Sequence, residues 1–155
     1  MENIEEEIRN VLVAEDDDED FELLADAIRE LSLPDLSLRV VLSRAENGDV
    51  LMKILHEKIP DLLFLDILMP CKDGKACVQE IRSHKKFDDL PIIVYSSIYD
   101  VESIEFFYRH GTNIYIFKPH TYREIVDIVQ KVFTIDWKKM QYYPTISNFV
   151  MNPRH

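Results

Sequence analysis

Five short, predominantly apolar runs, each followed by a segment of helical periodicity, limit what this 155-residue chain can fold into. The runs lie at residues 11–14, 38–42, 62–65, 91–95 and 114–117. Continuous rather than alternating hydrophobicity suits strands covered on both faces, as in a parallel sheet. Between the runs, apolar side chains recur at spacings of three and four. Phe21, Leu24, Ile28 and Leu31 make the first stripe, and Leu51, Ile54 and Leu55 follow Asn47, a suitable N-cap. Cys77, Val78 and Ile81 follow Asp73-Gly74. Val101, Ile104, Phe107 and Tyr108 follow Asp100 and are expected to face inward, with Gly111 as the C-cap. Ile125, Ile128, Val129 and Val132 follow Thr121-Tyr122-Arg123-Glu124, a capping-box pattern. The alternation is (βα)5, which predicts a doubly wound α/β fold with right-handed crossovers and helices on both faces of one parallel sheet. Residues 1–8 read as a solvated acidic tail, 9–133 as the domain, and 134–155 fall outside the alternation.

The formal charge of −11 is carried by the front of the chain. Residues 1–30 hold thirteen acids against Arg9 and Arg29, an excess that accounts for the whole net charge. An acidic balance argues against nucleic acid as a partner, since phosphates need Lys and Arg to neutralise them. No apolar run approaches the length of a membrane span, and the acidic N-terminus lacks the apolar stretch of a signal peptide. Cys71 and Cys77 have no metal spacing and read as two reduced thiols in a cytoplasmic protein. The five histidines, 56, 84, 110, 120 and 155, show no metal spacing either.

Ligands of an open parallel sheet bind beyond the carboxyl ends of its strands. Those ends carry Glu15-Asp16, Asp66, Ser96-Ser97 and Lys118-Pro119. If the first, third, fourth and fifth strands are neighbours, three carboxylates, a hydroxyl and an ammonium share one cleft. Clustered carboxylates repel, so one takes a proton or a cation enters. Oxygen-only ligands select a hard cation such as Mg2+. A carboxylate held beside a metal and a lysine is a competent nucleophile toward phosphorus.

These segments resemble a known family. Val-Leu-Val-Ala-Glu15-Asp16, Leu-Phe-Leu-Asp66-Ile-Leu-Met69-Pro70 with Asp73-Gly74, Ile-Val-Tyr-Ser96-Ser97 and Tyr115-Ile-Phe-Lys118-Pro119 are similar to the receiver domain of two-component response regulators. Within it, the Glu15-Asp16 form of the acid pair resembles that of the stand-alone CheY-like and phytochrome-associated regulators. The resemblance covers roughly residues 9–133. It implies a three-layer sandwich with strand order 2-1-3-4-5 and no output domain.

The resemblance also implies roles. Asp66 is the expected phosphoacceptor. Asp16 is expected to ligate Mg2+ directly, Glu15 largely through water, and the Leu68 backbone carbonyl as a third protein ligand beside Asp66. Ser96 is expected to bond the phosphoryl oxygens and Lys118 to pair with them, with Pro119 following a cis peptide. Ser97 stands where the family often has Ala and keeps the phosphate entrance open, and Gly74 serves the turn into the third helix. Switching is expected at Ser96 and Tyr115, whose ring turns inward as the hydroxyl is drawn to the phosphoryl group. Its output is a repacked surface of helix four, strand five and helix five. Leu68 and Ile98 flank the path of the attacking water; both are apolar, so slow self-dephosphorylation is expected. The implied partners are a sensor histidine kinase or a histidine phosphotransfer protein, and an unidentified downstream protein.

Four other readings compete. An intermediate relay shuttle would use the same chemistry and pass the phosphate on. An aspartate-nucleophile phosphatase needs a second Asp where Leu68 stands. A flavodoxin-like or dinucleotide-binding protein needs a Gly-rich loop after the first strand, where this chain is acidic. A phosphorylation-independent receiver is disfavoured, because no site residue is missing. The tail beyond 133 carries Trp137, Tyr142, Tyr143, Pro144, Phe149 and Met151, too apolar to stay free. It is expected to pack back on its own domain, with a homodimer contact as the alternative.

Overall fold

A computed structural model describes residues 7–31, 38–137 and 144–151. Tail residues Glu2, Glu5 and Glu6, and also Tyr142, Tyr143 and His155, lie outside the described residues. In chain order the elements are β1 (Glu7–Ala14), α1 (Asp18–Leu31), β2 (Leu38–Ala45), α2 (Gly48–Glu57), β3 (Leu62–Leu65), α3 (Gly74–Ser83), a 3-10 turn (Lys85–Phe87), β4 (Ile92–Ser96), α4 (Val101–Arg109), β5 (Ile114–Phe117), α5 (Tyr122–Thr134), α6 (Ile146–Phe149) and β6 (Val150–Met151). The sheet order is β2-β1-β3-β4-β5-β6, all parallel. The expected α/β architecture and the order of the first five strands are borne out.

Three features differ from expectation. Glu7 and Ile8 belong to β1 rather than to a tail, because β1 pairs with β2 from Glu7↔Leu38 onward. A sixth strand adds at the far edge, pairing Tyr115 with Val150 and Ile116 with Met151. Val101, expected inward, is 72% exposed. Ser103 and Phe107, one turn apart, set the buried face of α4, and Val101 sits two residues before Ser103, roughly 200° around the helix.

The sheet separates two cores. On one face α1 and α5 press Leu24, Ile28, Ile125, Ile128, Val129 and Val132 against Val11, Val13, Phe64 and Ile116. On the other, α2, α3 and α4 bury Leu51, Leu55, Val78, Ile81 and Phe107 against Leu12, Leu63, Leu65 and Val94. Phe149 of the C-terminal arm joins this second core, fully buried, with its ring 5.2 Å from Tyr108 and 6.2 Å from Tyr115. Each such side chain contributes roughly 2 kcal/mol through removal from water.

Helix starts follow their caps. Asn47, Asp73, Asp100 and Thr121 accept from Val50, Ala76, Ser103 and Glu124 N–H groups, and Asp17 accepts from Asp20 at the head of α1. Gly111 (φ 84) closes α4 in the left-handed region.

The two thiols differ sharply. Cys77 is buried within α3, and burial pushes its thiol up to about 12; Cys71 is exposed in the β3–α3 loop with φ 68. At pH 8, one thiol is expected to react quickly with a disulfide reagent. In Cys71→Ser the fast phase should vanish and the remaining thiol react only on unfolding. Two fast thiols would refute the placement of Cys77. The raised value also carries a sign: the unfolded chain loses this proton near pH 9 and the folded chain near 12. Cys77 therefore adds stability that is intact below pH 9 and drains away between pH 9 and 12.

Candidate functional site

The strand order reverses between β1 and β3, and the residues leaving the strands meet there. Asp66 N–H bonds the Ala14 carbonyl at 3.0 Å, which sets Asp66 beside Glu15. Lys118 N–H bonds the Ser96 carbonyl at 2.8 Å, which continues the β4–β5 ladder to the lysine. Glu15 N–H reaches the Ala45 carbonyl at 3.0 Å, tying the acid pair to the end of β2.

Carboxylate oxygens of Glu15, Asp16 and Asp66 lie within 4.8 Å of one another. Glu15 is 3% exposed and Asp66 is buried, whereas Asp16 is open to solvent. Lys118 Nζ donates to Glu15 Oε1 at 2.8 Å, Asp20 Oδ2 at 2.8 Å and Asp66 Oδ2 at 3.3 Å. Burial works to lower the lysine's pKa, but its bonds to Asp20 and Glu15 outweigh that and hold it above the ordinary value. Glu15 is raised as well, pushed up to about 9 by burial and by its proximity to Asp66, against the pull of Lys118. Burial and the neighbouring carboxylate thus favour the neutral form of Glu15, whereas the bonds to Lys118 favour its charged ammonium.

Glu15 Oε2 is buried without a hydrogen-bond partner. An orphaned buried oxygen within an oxygen-only donor set is what a hard, partly hydrated divalent cation satisfies, so these residues fit Mg2+.

Ser96 is fully buried, and its Oγ accepts from Ile98 N–H at 3.2 Å. Ser97 is exposed. Leu68 is 61% exposed at the pocket mouth, and Ile98 is half-buried. Tyr115 is fully buried and its hydroxyl donates to the Ile98 carbonyl. The ring thus already lies inward, walled by Phe107 and Phe149. Gly74 N–H bonds the Ile67 carbonyl at 2.8 Å, and a Cβ on Gly74 would lie 2.5 Å from the Asp66 carbonyl oxygen. Gly74 is thus required by close approach to the strand end rather than by turn geometry.

The Lys118–Pro119 peptide is trans, as are all described peptide bonds, contrary to the expected cis form. Trans is the ordinary preference of an X-Pro bond. Lys118 reaches its three carboxylates from a backbone that continues β5, so its aim needs no reversal.

Two residues at the site were not anticipated. Arg44, at the end of β2, donates Nε to the Glu15 carbonyl at 3.0 Å and Nη2 to the Asp16 carbonyl at 3.2 Å. Its Nη1 pairs with Asp18 at 2.8 Å, and the guanidinium lies over the Phe21 ring. Asp20 had been indistinguishable within the run Glu15–Asp20 of acids.

A parallel α/β sheet whose strand ends gather three acids, a hydroxyl and a lysine defines a class of signalling domains of two-component systems. The model of the response regulator receiver domain matches residues 11–130, and the chain belongs to that family. Receiver domains bind Mg2+ at such an acidic pocket and interact with histidine kinases or phosphotransfer proteins and with downstream targets.

Among curated relatives, the probable C4-dicarboxylate response regulator DctR of Bacillus subtilis is 37% identical over 91 residues, covering 59% of this chain and 39% of the relative. The transcriptional regulatory protein BaeR of Escherichia coli is 29% identical over 131 residues, covering 83% of this chain and 50% of the relative. The chain thus spans half or less of the length of these relatives. A putative response regulator from Chloroflexus aurantiacus superposes with a TM-score of 0.69 at 25% identity, over 83% of this chain and all of that one. The phosphorylated cyanobacterial phytochrome response regulator RcpA superposes with a TM-score of 0.74 at 24% identity, over 90% and 100% of the two chains, a likeness of fold. Among the described residues, no helix is long and apolar enough to cross a membrane.

Proposed function

We propose that this receiver takes a phosphoryl group from a histidine kinase or histidine phosphotransfer protein onto Asp66 and signals by binding a partner. The observation that carries this reading is the convergence of Lys118 on Asp66 and Glu15 at the ends of three separate strands. One Asp66 oxygen attacks phosphorus. The P–N bond of the donor breaks, and the imidazole leaves with its electron pair and takes up a proton. Lys118 faces the negative charge that the phosphoryl group brings. Ser96 exchanges its bond from Ile98 N–H for one to a phosphoryl oxygen. Mg2+, held by Asp16, Asp66, the Leu68 carbonyl and, through water, Glu15, would supply Lewis-acid neutralisation of that charge.

The output surface is α4, β5 and α5, joined by the arm that adds to β5. Neither the Leu68 nor the Ile98 side chain can hydrogen-bond a water, so the acyl phosphate is long-lived. Incubation with acetyl phosphate and Mg2+ is expected to add one phosphoryl mass, persisting after donor removal. The gain should be lost in Asp66→Asn and on chelation of the metal. No gain, from acetyl phosphate or from a cognate kinase, would leave a receiver that works without phosphorylation.

A further inference from the structure

We propose that Asp20 is a positioning residue that holds Lys118 in the unphosphorylated protein and so sets how readily the lysine is given up to an arriving phosphoryl group. This rests on Asp66 being the phosphoacceptor. An ammonium has three protons to donate, and here all three are taken. The two short bonds, both 2.8 Å, go to Glu15 and Asp20, and the longest, 3.3 Å, goes to Asp66. The lysine is therefore engaged mainly by groups other than the one it is to serve.

The surroundings decide which bond yields. Glu15 is 3% exposed, and its second oxygen is already without a partner, so losing Lys118 would strand a buried acid. Asp20 is 41% exposed, so water can replace the ammonium there at small cost. Asp20 itself does not drift: it lies in the first turn of α1, with its N–H bound to Asp17 Oδ1 at 2.8 Å. Phosphoryl transfer to Asp66 brings in an anion that needs the ammonium, and the bond to Asp20 is the one released.

Asp20→Asn removes the competing charge and keeps the side chain's size; Asp20→Glu keeps the charge. With Mg2+ present, the affinity for beryllofluoride, a phosphoryl mimic, is read by calorimetry. The acetyl phosphate concentration giving half-maximal phosphorylation rate is read by intact mass. In Asp20→Asn, affinity should rise and the half-maximal concentration fall by about three-fold, the worth of a partly exposed ion pair. Asp20→Glu should stay near wild type. In a Lys118→Met background, Asp20→Asn should change the half-maximal acetyl phosphate concentration by much less.

An unchanged Asp20→Asn would overturn the proposal. So would a gain that persists without the lysine, since the carboxylate would then act on the anion directly by its charge. A wild-type protein that takes neither beryllofluoride nor phosphate refutes the phosphoacceptor reading instead, so the two failures are separable.

Discussion

Replacing Arg82 with alanine is expected to lower the free energy of unfolding by roughly 3 kcal/mol, since charge-assisted bonds to buried carbonyls are costly to lose. Arg82 leaves α3 and fans out beneath the sheet. Its Nε donates to the Gly111 carbonyl at 2.9 Å, Nη1 to the Phe87 carbonyl at 2.6 Å, and Nη2 to the Leu90 carbonyl at 2.7 Å and to Asn113 Oδ1 at 3.3 Å. One guanidinium thus joins the loops that enter β4 and β5, which deliver Ser96 and Lys118 at their far ends. Truncation leaves several partly buried acceptors without a donor at once. Arg82→Lys should recover little, because a single ammonium cannot reproduce a planar fork aimed at separate carbonyls. Thermal unfolding checks both: a fall of roughly 10 °C for the alanine variant is expected for a domain of this size. A shift within a degree or two would mean that water replaces the arginine without loss.

Gly74→Ala is expected to act on both folding and chemistry. The added methyl would meet the Asp66 carbonyl oxygen at 2.5 Å and Ile67 Cα at 2.9 Å, both parts of the main chain that cannot swing aside. Overpacking of this kind costs about 1–3 kcal/mol. Because the nearest displaced atom belongs to Asp66 itself, phosphorylation by acetyl phosphate should also slow by about ten-fold, as small misplacements of a nucleophile do. Gly48→Ala is the control. Its methyl would strike the carbonyl oxygen of Lys72 at 2.0 Å, a β3–α3 loop residue that is not one of the clustered acids. It should destabilise comparably in urea while slowing phosphorylation less. Equal slowing in both variants would show that lost stability, not the position of Asp66, is responsible.

Much of this molecule was legible because its signals are local. β3 and β5 match the apolar runs residue for residue, since both are covered on two faces and offer no alternation to misread. β2 extends three residues beyond its run, to Ala45, because an edge strand alternates between half-buried and exposed positions and carries polar Ser43 and Arg44. The acids, serine and lysine of the pocket could be found because strand ends mark them. Asp20 could not, since nothing in a six-residue acidic run says which member meets a lysine 98 residues away. Arg82 was equally silent: three of the four acceptors described above are main-chain carbonyls, which every residue has. The two-residue strand at Val150–Met151 is too short to carry any period, and its existence depends on β5 already being in place.

The hydroxyls of Ser96 and Tyr115 grip one peptide segment from opposite ends. Ser96 holds the N–H of Ile98 and Tyr115 holds its carbonyl. Release of the N–H by the serine would therefore reach the tyrosine through a single residue of main chain, with no side chain as intermediary. Such a linkage is indifferent to what side chain stands at position 98 and leaves no trace in a comparison of side chains. Only proline, which has no N–H to offer, could not take part in it.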